Sequence, residues 1–205
     1  GRTLRLAPTM ELLLIRHGRP TRDDGGDGAG GPADPGLSPV GRQQAGALAD
    51  WLATEAIDAI YSSPMRRARE TAAPLAEKLG LKVTPEPDIA EYDAGAASYI
   101  PIEELKAAGD PRWMELPDDV PAFQARVVAA VERIVADHAS GRVAMFCHGG
   151  VVNVYLSWVL KTHQELFFLP HYTSVSRVLA SGDGRRSIDS LNVVVALAIA
   201  LERLR

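Results

Sequence analysis

Apolar residues in this chain alternate between short unbroken runs and stretches with helical spacing. Glu11-Leu-Leu-Leu-Ile15 is an apolar run without alternation, the pattern of a strand buried on both faces of a parallel sheet. Arg142 to Cys147 reads the same way, and Ile57 to Tyr61 and Leu81 to Thr84 are further short strands. Between them the period changes. Ala45, Leu48, Ala49 and Leu52 recur at helical spacing behind Ser38 as N-cap and Pro39 in the first turn. Met65 to Leu79 is a predicted helix closed by Gly80. In Phe123 to His138, Val127, Val128, Val131, Ile134 and Val135 share one face. Gly149 to Leu160 returns to helix. Val175 to Ala180 and Ile188 to Val195 are predicted strands joined by a Gly182-Asp183-Gly184 turn. Strands alternating with helices predict an α/β fold, a three-layer α/β/α domain around a mostly parallel central sheet.

Breakers divide the chain less evenly. Arg19 to Gly36 is rich in Gly, Asp and Pro and is expected to be a loop. It is not a Walker phosphate loop, because no Gly-Lys-Ser/Thr follows. Pro85 to Pro121 carries six prolines and is expected to hold at most short helices, as an insertion or lid over a site. No internal repeat or linker stands out, so residues 10–205 are expected to form one domain. Residues 1–9 lack a signal peptide's apolar core and read as a leader or cloning remnant.

Composition narrows the function classes. The chain has 205 residues, 46% of them hydrophobic, enough for a substantial core. A net charge of −4 argues against a nucleic-acid partner held by bulk charge. Cys147 is the single cysteine, so no intrachain disulfide can form, which fits a reducing, cytoplasmic setting. The apolar stretch Val193 to Leu201 is too short to span a bilayer, so no membrane partner is expected. No Cys-x-x-Cys or His-Glu-x-x-His spacing suggests a metal site.

Chemistry concentrates in three places: Arg16-His17-Gly18, the stretch Ser62 to Thr71, and His148-Gly149-Gly150. The first and third each put a histidine directly after a short apolar strand and before a glycine. Ligands of open α/β sheets bind outside the carboxyl ends of strands. If these two strands are parallel neighbours, both imidazoles meet at one crevice. The helix after His148 would present free N–H groups to an anion, and Arg16 would supply a bidentate cation. A phosphoryl group is the anion that fits. A second arginine should come from Arg66, Arg67 or Arg69, and spacing alone does not choose among them.

Taken together, these motifs resemble the histidine phosphatase superfamily, the phosphoglycerate-mutase-like proteins. Arg16-His17-Gly18 matches the family's Arg-His-Gly. Leu37-Ser-Pro-Val-Gly-Arg-Gln-Gln-Ala45 matches its Leu-Thr-x-x-Gly-x-x-Gln-Ala. Ser63-Pro-Met-Arg-Arg-Ala-Arg-Glu-Thr-Ala72 matches its Ser-x-x-x-Arg-Ala-x-x-Thr-Ala, a register that selects Arg67. Glu91 stands four residues before Gly95, and Cys147-His-Gly-Gly150 matches the late Ser/Ala-His-Gly-Gly. The resemblance implies His17 as the nucleophile that becomes phosphohistidine. It gives Arg16, Arg67 and His148 as the phosphoryl clamp and Glu91 as the acid that protonates the leaving oxygen. It implies no metal and no cofactor. The chain departs from the family after the nucleophile, with Arg19, Pro20 and Asp23 where Glu or Gln, Thr or Ser, and Asn are usual. An anionic Asp23 is therefore expected to turn away from the phosphate or to meet a basic substrate group.

The expected activity is that of a histidine acid-type phosphatase, a phosphomonoesterase acting on a small phosphorylated substrate. The alternatives are a cofactor-dependent phosphoglycerate mutase and an inactive scaffold that binds phosphorylated ligands; a homo-oligomer stays open. Asp93 is the nearest rival to Glu91 for the acid. Arg66 and Arg69 read as surface charges, and His138, His163 and His171 as ordinary polar positions. Cys147 reads as a buried small hydrophobe, and Tyr172-Thr-Ser174 as an ordinary strand entry, with a contribution to the pocket as the alternative.

Overall fold

The computed structural model describes residues 8–25 and 31–195. Within them, β1 (Thr9–Arg16), α1 (Pro39–Leu52), β2 (Ala59–Ser62), α2 (Arg66–Leu79), β3 (Val83–Pro85), α3 (Ile102–Ala107) and α4 (Val120–Asp137) are followed by β4 (Gly141–Cys147), α5 (Gly149–Leu160), β5 (Val175–Ser181) and β6 (Arg186–Val193). The strands form one sheet in the order β3-β2-β4-β1-β5-β6. The pairs β2·β3, β2·β4 and β1·β4 are parallel, and β1·β5 and β5·β6 are antiparallel. The fold is thus α/β with a mixed, mostly parallel sheet.

The two central strands show why their sequences do not alternate. On β1, Leu12 and Leu14 pack with Val127, Val131 and Tyr155 on α4 and α5, while Leu13 and Ile15 pack with Leu48, Leu52 and Leu75 on α1 and α2. On β4, Val143 and Met145 face the first group and Ala144 and Phe146 the second. A strand covered by helices on both sides is apolar at every position. The edge strand β6 instead alternates partly buried and exposed residues along its whole length. Its turn from β5 carries Gly184 at φ +91, and so short a connection can only join antiparallel neighbours.

Caps set the helix boundaries. Ser38 Oγ accepts from Gly41 N at 3.0 Å and Pro39 opens α1, while Gly80 ends α2 in the left-handed region at φ 65. α4 begins earlier than its apolar stripe suggests. Asp119 caps it by accepting from Ala122 N at 2.9 Å, and Pro121 lies in its first turn rather than in the irregular stretch before it. That stretch contains α3 and two short 3-10 turns, each opened by a proline, at Pro87–Ile89 and Pro111–Met114. β1 begins at Thr9, which pairs with Ser181, so this residue belongs to the sheet and not to a leader. Residues 1–7, and the apolar stretch beyond residue 195, lie outside the described residues.

Candidate active site

β1 and β4 are parallel neighbours with Arg16 level with Cys147. His17 and His148 therefore leave the sheet side by side at its carboxyl edge. Their ring centroids are 5.2 Å apart and their planes are tilted by 59°. The backbone of the first motif is fixed from several directions. His17 N donates to Cys147 O at 3.0 Å, and Thr173 N donates to Arg16 O at 3.1 Å and His17 O at 3.3 Å. Thr173 makes these contacts from a left-handed φ of 55, a conformation a Thr adopts only where its surroundings demand it. Gly18 N donates to Thr71 Oγ1 at 2.9 Å, and a Cβ on Gly18 would lie 2.8 Å from Gly41 O. This is the close backbone approach that needs glycine.

The side chains sit in defined electrostatic roles. His17 Nδ1 lies 2.8 Å from Gly18 O. A carbonyl oxygen only accepts, so the neutral ring carries its proton on Nδ1 and keeps the Nε2 lone pair. Burial, with Arg67 and Arg16 nearby, holds the pKa of His17 well below the usual histidine range. Burial and the same two arginines, together with His17, hold His148 low as well. Arg67 is fully buried, its Nη2 lies 2.8 and 3.1 Å from the two Asp93 oxygens, and its guanidinium stands over the Tyr99 ring at 4.6 Å. Arg16 donates to Pro170 O and stands over the Tyr172 ring at 4.1 Å. Even so, Arg16 Nε, Arg67 Nε and Nη1, and His148 Nδ1 are buried without a hydrogen-bond partner. Buried donors are costly to leave unmade. That several belong to one cluster of cationic and imidazole groups suits a polyoxygen anion.

Glu91 is also buried here. Its Oε2 accepts from Gly150 N at 2.8 Å and its Oε1 from Tyr92 N at 3.2 Å. Burial and the neighbouring Asp93 carboxylate push its pKa up to about 7, against the opposing pull of the Gly150 amide. Of the N–H groups at the α5 N-terminus that were expected to face an anion, that of Gly150 is engaged by Glu91. A side chain on Gly150 would collide with that carboxylate.

Arg16, His17, Arg67 and Glu91 line one cavity of about 810 Å³, with walls from 92–116 and 164–170. His148 is buried and is not among the lining residues; its Nε2 lies 2.8 Å from Ser63 Oγ. Asp93, the rival acid, is committed to Arg67. Arg66 is exposed and paired with Glu70 at 2.6 Å, and Arg69 is exposed. Asp23 turns into its own loop, accepting from Gly25 N at 3.0 Å and pairing through its backbone with Tyr99. His138 meets Tyr61 at 3.0 Å, His163 is exposed, and neither they nor His171 line the cavity. Cys147 is buried within the apolar cluster beneath α4 and α5, and burial pushes its thiol pKa up. Sequence reasoning missed the role of Tyr172, which is buried, supports Arg16 and donates to Glu103 at 2.6 Å. Nothing in the Tyr-Thr-Ser pattern announces that role. The Asp93–Arg67 pair was equally hidden, because it joins a loop to a helix. Among the described residues no group of three or more His, Cys, Asp or Glu could hold a metal ion, and no helix is long and apolar enough to cross a membrane.

Comparisons with known proteins fit this geometry. The bifunctional protein Rv2228c of Mycobacterium tuberculosis is 31% identical over 195 residues, which cover 88% of this chain and 53% of that protein. Phosphoserine phosphatase 1 of Hydrogenobacter thermophilus is 40% identical over 114 residues, covering 54% of each. The chain thus spans about half the length of these relatives. Among solved structures, a mycobacterial glucosyl-3-phosphoglycerate phosphatase superposes with a TM-score of 0.69 at 23% identity, covering 90% of this chain and 99% of the other. A phosphoglycerate mutase from Bacillus anthracis gives 0.68 at 19% identity, covering 96% and 98%. At such identities the structures speak for the fold alone. The family model of the histidine phosphatase superfamily (branch 1) matches residues 12–194, and the chain belongs to that superfamily.

Proposed function

We propose that this chain is a phosphomonoesterase, of the histidine acid phosphatase type, working through a phosphohistidine on His17. The observation that carries the reading is the His17 ring. Its Nδ1 proton is held by Gly18 O, and its neutral form is favoured by burial beside two arginines. Nε2 then keeps the free lone pair, and the neighbouring Arg16, Arg67 and His148 carry buried unpartnered nitrogens. In the first step Nε2 attacks phosphorus, the P–O ester bond breaks, and the leaving oxygen takes the Glu91 proton. In the second, Glu91 as carboxylate takes a proton from water, the water oxygen attacks phosphorus, the P–N bond breaks, and phosphate departs. Splitting one displacement into two lowers each barrier. Charge building on the equatorial oxygens meets Arg16, Arg67 and His148. The His148 proton is placed for this if Ser63 Oγ, which accepts from Met65 N at 3.3 Å, donates to Nε2 and leaves the hydrogen on Nδ1.

A phosphoglycerate mutase would use the same nucleophile but needs a cation for its substrate's carboxylate. The one further arginine lining the cavity, Arg112, is already held by Asp110. A binding scaffold would not need a nucleophile poised in this tautomer. The test is acid-quenched protein incubated with 32P-labelled aryl phosphate. Acid-labile label should appear on His17, and His17→Ala should lose both label and turnover while keeping its circular dichroism. Full activity in His17→Ala would refute the nucleophile.

A further inference from the structure

The cavity above the phosphate site is far larger than a phosphoryl group needs, and its walls are unusual for a surface. Tyr92, Trp113, Met114, Leu116 and Leu169 all line it, yet they are between 39% and 58% exposed. They are half of the large hydrophobic side chains that stand exposed among the described residues. They come from two stretches well separated in sequence, 92–116 and 164–170. Apolar surface gathered around a concavity, rather than scattered singly, marks a ligand site. A volume of about 810 Å³ lies in the range of sites for compact organic ligands.

The charges around this upper part point the same way. Arg112 lines it, but Asp110 Oδ1 and Oδ2 lie 3.0 and 2.9 Å from its Nε, so the pair is neutral. Lys106 rests over the Trp113 ring at 4.6 Å and does not line the cavity. Glu115, an acidic residue, also lines it. Of the two amides that line it, Asn153 and Gln164, Asn153 is occupied: Nδ2 donates to Gly149 O and Phe168 O, and Oδ1 accepts from Phe167 N and Phe168 N. Among the described residues that line the cavity, Arg112 is then the one cation left for a second anionic group once the arginines at the floor hold the phosphate, and Asp110 already pairs with it.

Resting on the phosphomonoesterase reading, we propose that the substrate is a phosphate monoester of an apolar alcohol or phenol. Its alkyl or aryl body lies between the Trp113–Leu116 wall and Phe168–Leu169, with no carboxylate or second phosphate. Compact polar acids such as phosphoserine would leave the apolar walls wet and set their carboxylate facing Glu115.

Calorimetric titration with ethyl-, butyl-, hexyl- and octylphosphonate reads the apolar wall apart from catalysis, with hydrolysis of the matching alkyl phosphates measured alongside. A fully buried methylene is worth about fourfold in affinity, so a half-open cavity should give about twofold per methylene up to hexyl. Trp113→Ala and Leu169→Ala, each checked by circular dichroism for an intact fold, should flatten that slope. Equal affinity along the series, no binding at any length, or better hydrolysis of phosphoserine than of hexyl phosphate would overturn the proposal. Affinity that climbs with chain length while no ester is hydrolysed would sustain the apolar subsite and remove the phosphomonoesterase reading beneath it.

Discussion

Glu91 and Arg67 are each buried, and each has one polar contact that defines what it can do. For Glu91 it is the Gly150 amide, which orients a carboxylate whose pKa is raised to about 7. A group with that pKa is protonated enough to donate and ionised enough to accept near neutrality. The acid form is lost as pH rises through about 7, so turnover of alkyl phosphates should fall there. Nitrophenyl phosphate, whose leaving group needs no proton, should not follow that fall. Glu91→Gln should slow the alkyl ester by roughly 10²–10⁴ and the nitrophenyl ester far less; one common factor for both would make Glu91 a structural residue. For Arg67 the contact is Asp93, which aims Nη2 away and leaves Nε and Nη1 unpartnered. Arg67→Ala should cost about 10²–10³ in kcat. Arg66→Ala, at an exposed helical pair, should cost little. Comparable losses at both positions would sink the assignment.

At the scale of elements, the local signals were legible where the chain obeys them. Ser38 and Gly80 cap the helices their residue types predict, and the unbroken apolar runs at β1 and β4 are the doubly covered strands. Arg16, His17 and His148 could be brought together from sequence because they stand at the ends of those strands, whereas Arg67 was picked out from Arg66 and Arg69 only by its resemblance to the family motif. What sequence did not disclose are contacts between distant segments: Asp93 with Arg67, Tyr172 beneath Arg16, Glu91 on the α5 end. None has a periodicity to betray it. At the α5 end the helix N-terminus attracts any nearby anion, and the buried Glu91 carboxylate occupies its Gly150 amide. Gly150→Ala tests that contact. The new methyl must displace Glu91, so the variant should lose activity on alkyl phosphates as Glu91→Gln does, while still taking label on His17 from nitrophenyl phosphate. Unchanged alkyl phosphate turnover would mean that Glu91 tolerates displacement and does not act from this position.

For the whole molecule, burying titratable groups links function to stability. The pKa of Glu91 is raised on folding from 4.5 to about 7. The folded state therefore holds a proton that the unfolded chain has released, and stability falls as pH climbs across that window. His17 and His148 are depressed below 6.5; the unfolded chain binds protons that the folded state refuses, so stability also falls as pH drops below 6.5. Glu91→Gln removes only the first loss. The melting temperature of the variant relative to wild type should be higher at pH 8 than at pH 5, by the equivalent of on the order of 3 kcal/mol. An offset independent of pH would show that the carboxylate is not titrating there.

The order of the strands has a consequence in time. β4 lies between β1 and β2, so the strands made first have no direct partner in one another. While the ribosome is still short of residue 141, β1 and β2 flank a gap where the middle of the sheet will be. His17 then has neither the Cys147 carbonyl that fixes its amide nor the His148 ring that stands beside it. Closing that gap requires pairing across more than half the chain, a slow step for any fold built on distant contacts. His17 is therefore synthesised well before the strand that fixes it, and a chain that stops short of β4 cannot carry the proposed chemistry.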